Sequence, residues 1–139
     1  MKTARTLVFV VGVSAAILGC EGTFVGPYDL DELTFELSVV GGEPIETTIA
    51  GGVGTITVRS FHATPMCGYE LAGSVAQGNE GLEVHVEARF VGGIAVACYY
   101  TYEAVVSGIP EGRHAITLVH RVEGGMGDAP VAEAVVRVR

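Results

Sequence analysis

The chain has 139 residues, 49% of them hydrophobic and 17% charged, which suits one domain and excludes a disordered, solvated chain. Lys and Arg together number 8 against 16 acidic residues, and a formal charge of −8 is the wrong sign for a nucleic-acid binder. At the N-terminus, Lys2 and Arg5 precede an uncharged apolar run from Leu7 to Leu18. As a helix that run reaches about 18 Å, short of a ~30 Å hydrocarbon core. A basic start, a short apolar run and small residues at its end predict a secretory signal, with a membrane-spanning anchor as the alternative.

The end of the run is more specific. Ile17-Leu18-Gly19-Cys20 resembles the lipobox of bacterial lipoproteins. The resemblance implies removal of residues 1–19, a thioether-linked diacylglycerol on Cys20, and acylation of the new amino group. Two or three acyl chains, at ~0.8 kcal/mol per buried CH₂, hold a small domain on a bilayer. Glu21 is not the aspartate that retains lipoproteins at the inner membrane, so the resemblance also implies the outer membrane of the cell envelope. Residues 1–19 contain Lys2, Arg5 and no acid. Cys20–Arg139 then has 6 basic and 16 acidic residues, a formal charge of −10, with arginine as its only base apart from histidine.

Three cysteines are an odd number for an exported chain. With Cys20 assigned to lipid, Cys67 and Cys98 remain, and an oxidising compartment favours a disulfide between them. Two buried thiols are the alternative. A zinc site would have only His62 close to Cys67, too few ligands. No metal and no cofactor is expected.

Residues 20–32 show no period and contain Gly22, Gly26 and Pro27, so they are expected to form a flexible tether. Asp29, Asp31 and Glu32 lack the glycine and ligand spacing of a calcium loop. From Leu33 the hydrophobic period is two. Strands are predicted at 33–39, 45–49, 55–61, 69–73, 82–90, 94–106, 114–122 and 131–138, separated by glycine and proline turns. Seven to eight short strands and no helical stretch predict an all-β domain over 33–139, a single antiparallel β-sandwich of immunoglobulin-like (Ig-like) type.

One local motif adds to this. Ile109-Pro110-Glu111-Gly112-Arg113-His114 resembles the corner between the fifth and sixth strands of fibronectin type III and related Ig-like domains. The resemblance implies a buried Ile109, a turn through Pro110 and Gly112, and His114 in the place of a corner tyrosine, bonded to nearby backbone. The absence of tryptophan departs from the usual core of those families.

No catalytic constellation emerges. Ser74 lacks the second glycine of a nucleophile elbow, and Gly52-Val53-Gly54 lacks the third glycine of a dinucleotide loop. His62, His85, His114 and His120 are scattered in sequence. A pocket holding His62 or His120 beside a carboxylate would revive an enzymatic reading. Tyr99 and the glycine-rich segment 123–130, with Met126 at its tip, are the candidate contact residues. The expectation is a non-enzymatic lipoprotein, held on the bilayer through acylated Cys20 and binding an envelope protein or ligand. The alternative is an inhibitor of a periplasmic or extracellular hydrolase, whose basic surface would suit an acidic domain.

Overall fold

A computed structural model describes residues 22–125 and 127–139. The expected lipidation at Cys20 and the expected contact at Met126 fall outside these residues. Among the described residues the fold is all-β: nine strands and one 3-10 turn, Leu30–Glu32. The strands are β1 (Thr23–Phe24), β2 (Thr34–Gly41), β3 (Thr48–Gly51), β4 (Thr55–Thr64), β5 (Tyr69–Gln77), β6 (Leu82–Phe90), β7 (Cys98–Ser107), β8 (Gly112–Val122) and β9 (Ala129–Val138).

The strands form two sheets. One has the order β2-β7-β4-β3, antiparallel throughout. In the other, β8 carries β9 on one edge and β6 on the other, with β5 beyond β6. The sandwich is therefore not wholly antiparallel as expected. β6 and β8 run parallel, Leu82 opposite Ile116 through Ala88 opposite Val122. The reason lies in the path of the chain. After β6 it crosses into the facing sheet as β7 and returns as β8 in the direction of β6. Parallel neighbours require such a crossover.

Alternation explains the layers. Ile56 and Val58 of β4, Val84 and Val86 of β6, Tyr102, Ala104 and Val106 of β7, and Ile116 and Leu118 of β8 are fully or almost fully buried between the sheets. Residues between them along each strand face outward, as a period of two dictates. Two predicted strands are shifted. The stretch from Ile94 to Ala97 lies outside β7, because Ile94 folds back and its carbonyl accepts from Cys67 N–H at 3.1 Å. β3 starts at Thr48, because the chain after β2 first crosses the outer face of β7, where the Glu43 carbonyl accepts from Thr101.

The expected tether is also corrected. From Thr23 onward it belongs to the domain. Thr23 and Phe24 pair in parallel with Arg113 and His114 of β8. Gln77 then clamps the chain, its Oε1 accepting from Tyr28 N–H at 2.8 Å and its Nε2 donating to Val25 O at 2.9 Å. Tyr28, Leu30 and Leu33 pack against the core. Burying these side chains offsets the entropy of ordering a polar, glycine-containing segment.

Candidate functional site

Four turns and strand ends meet at one end of the sandwich: the end of β2, the β4–β5 turn, the β6–β7 connection and the β8–β9 connection. Cys67 and Cys98 are joined there by a disulfide, with Cα atoms 5.1 Å apart. The bond ties the β4–β5 turn to the start of β7. Cys67 N–H donates to Ile94 O, and Val91 N–H donates to Gly68 O at 2.8 Å. Tyr100 Oη accepts from the N–H groups of Gly68 and Tyr69 at 3.0 and 3.1 Å. Gly68, at φ +101°, and Gly93 allow the two segments to touch, since a Cβ on either would strike the backbone of the other segment. The half-exposed ring of Tyr99 packs edge-on against Phe61, centroids 5.7 Å apart.

This end is apolar on its surface. Val91 is 62% exposed and Ile94 64%, and Val39, Val40, Val96 and Phe90 are exposed as well. No acid and no arginine occurs in the sequence segments 37–42, 60–69 and 90–102 that build it. The remaining connection, β8–β9, carries Glu123 and Asp128. Glu123 Oε1 accepts from Phe90 N–H at 3.3 Å, and Asp128 lies 3.9 Å from Arg121.

The Ile109–His114 corner sits at the opposite end. Ile109 is buried, Pro110 and Glu111 are exposed, and Gly112 takes φ +135°. His114 is 1% exposed. Its Nε2 lies 2.7 Å from Pro110 O and its Nδ1 2.8 Å from Tyr28 Oη. A carbonyl only accepts, so Nε2 carries the proton and donates; Nδ1 is then free to accept from the Tyr28 hydroxyl. Burial holds the His114 imidazole below its ordinary pKa, opposed by the bond to Pro110. Burial also pushes the Tyr28 phenol upward.

A third cluster joins residues far apart in sequence. The rings of His62 and His120 stack in parallel, centroids 4.4 Å apart and planes within 4°. His120 Nε2 lies 2.6 Å from Tyr102 Oη, and Ser60 Oγ lies 2.6 Å from Thr47 Oγ1. His62 Nε2 and Nδ1 face the carbonyls of Arg121 and Ala63 at 3.0 and 3.1 Å. Desolvation, reinforced by the neighbouring His62, lowers the His120 pKa to about 4. The cluster borders a cleft of about 360 Å³ where β3 is too short to cover β4, lined also by Phe61, Val122 and Val131. Among the described residues no carboxylate lines this cleft.

On the outer face of β6, Glu83 Oε1 lies 2.8 Å from His85 Nε2, and Ser74 stands opposite His85 across the β5–β6 ladder. Among the described residues no hydrogen bond links Ser74 to His85, the contact that would activate a nucleophile. No group of three or more metal-ligating side chains occurs among the described residues.

The residues missed in the sequence are Tyr28, partner of His114, and the aliphatic set Val39, Val40, Val91, Ile94 and Val96. The uncharged segments that carry the latter are visible in the sequence; their convergence at one end is not. No family model, no curated protein and no solved structure matches the chain.

Proposed function

We propose that this chain is a lipoprotein of the bacterial cell envelope, anchored in a membrane through acylated Cys20. It acts as a non-catalytic binding module whose contact surface is the disulfide-tied end of the sandwich. The observation that carries this reading is the placement of exposed apolar side chains. They concentrate at the end where β4 finishes and β7 begins, while Thr23 joins the domain beside Arg113 at the other end. Strands of nine to eleven residues separate the two ends by about 30 Å. A module held at its N-terminus thus offers the apolar end away from the point of attachment.

The finer expectation of Ig-like kinship has the two packed sheets and the Ile109–His114 corner in its favour. The parallel β6–β8 pair counts against it.

A photoreactive phenylalanine analogue in place of Tyr99, compared with one in place of Val53 at the attached end, tests the contact surface in cells. Irradiation should give adducts, with protein or with lipid, at position 99 and none at position 53. Equal labelling at both positions, or none at either, would remove the support for this surface.

A further inference from the structure

We infer that the disulfide-tied end inserts its three uncharged segments shallowly into a lipid bilayer. The inference rests on the proposal that this end is the contact surface, and it names the occupant. The first ground is charge. In a domain of formal charge −10, segments 37–42, 60–69 and 90–102 contain no acid and no arginine. Ionised side chains are the groups that hydrocarbon rejects most strongly. The second ground is the protruding set itself. Val91, Ile94 and Val96 are exposed aliphatic side chains at the tip, and exposed Val39 and Val40 lie further back, Val39 opposite Tyr102. The aromatic pairs Phe61–Tyr99 and Tyr69–Phe90 are associated with the adjoining strand ends. Aliphatic residues outermost with tyrosines behind them match the polarity gradient of a membrane surface.

The third ground is the backbone. A loop entering lipid must satisfy its own polar groups. Here Cys67, Gly68, Tyr69, Val91 and Val96 N–H have partners within this end of the molecule, while Gly92, Gly93, Ile94, Ala95 and Ala97 N–H have none among the described residues, which keeps the 92–97 connection at the hydrated interface. The Cys67–Cys98 bond and the Tyr100 hydroxyl hold the segments in place before contact, so little ordering entropy opposes insertion. Depth is limited by the neighbours. Glu70 pairs with Arg89 in the ladder one step behind Tyr69 and Phe90, and Glu43, Glu123 and Asp128 flank the other sides. With no lysine or arginine in the three segments, the surface suits an electroneutral lipid over an anionic one.

The absence of tryptophan makes the test direct. The exported protein carrying Ile94→Trp has a single indole at the tip, and Val53→Trp places one at the attached end. Each is carried in phosphatidylcholine vesicles, in one sample with brominated carrier lipid and in another with a second, brominated vesicle population. Emission of the indole at 94 should shift to the blue and be quenched in at least one sample. Adding Val96→Asp should lower that quenching on the order of tenfold, with circular dichroism confirming that the fold is kept. Unquenched, red-shifted emission in both samples would overturn the inference. So would a blue shift that precedes vesicle addition and accompanies dimers, which would assign the surface to a second copy. Flotation of the protein with its carrier vesicles reports the anchor separately. If flotation fails, the same protein added directly to brominated vesicles still tests the tip.

Discussion

Acid should destabilise this domain between pH 8 and pH 5, and His120 is the main reason. The ring is 9% exposed, stacked on His62 and placed against the Tyr102 hydroxyl. Its folded pKa is lowered to about 4, by desolvation first and His62 second, from an ordinary 6.5. At pH 8 neither the folded nor the unfolded state binds the proton, and the stability is fully present. Below 6.5 the unfolded chain takes up a proton that the folded chain refuses, so stability falls as pH falls. Between pH 8 and pH 5 the loss from this one group is about 2 kcal/mol. His114, also lowered by burial, adds a loss of the same sign. Urea unfolding followed by circular dichroism at pH 8, 6.5, 5.5 and 5 measures it. His120→Gln, though less stable at pH 8, should lose about 2 kcal/mol less over the same range. A wild-type stability that is flat from pH 8 to pH 5, or an unchanged slope in His120→Gln, would refute this reading of the buried histidine.

Reducing Cys67–Cys98, 31 residues apart, should destabilise the fold by about 4 kcal/mol through chain entropy; urea midpoints with and without reductant measure the loss, and the sheet signature should persist at low urea. Tyr28→Phe removes the hydroxyl held by His114 Nδ1 and should cost about 1 kcal/mol in the same assay, where a free tether would show no effect. His114→Ala breaks the bonds to both Tyr28 and Pro110 and empties a buried site, so a loss of about 2–4 kcal/mol is expected. Tyr99→Ala should change stability by less than about 1 kcal/mol, because the ring is half-exposed, while lowering the brominated-lipid quenching of the indole in Ile94→Trp.

The sequence is informative about this fold where a contact is local. Alternation along 82–90 and 114–122 reports which side chains face the core, since a strand repeats every two residues whatever lies beside it. Pairing is a different matter. Nothing within 82–90 reveals that its neighbour is β8 and parallel, because that depends on β7 crossing to the other sheet. The segment 20–32 looks like a tether for the same reason: Tyr28 and Gln77 are 49 residues apart, and Tyr28 and His114 are 86 apart. The His62–His120 stack joins positions that carry no shared motif. Of the apolar end, the disulfide partners are legible from cysteine arithmetic, whereas the exposure of Val39 and Val40 depends on where β2 stops opposite Thr101.

The intact mass of the N-terminal peptide from membrane-extracted protein tests the proposed anchorage most directly. The expected peptide begins at Cys20 and carries a diacylglyceryl thioether and an amide-linked acyl chain, while Cys20→Ser accumulates as an unacylated precursor starting at Met1. A wild-type peptide that begins anywhere other than Cys20, or that begins there without acyl mass, would contradict the proposal.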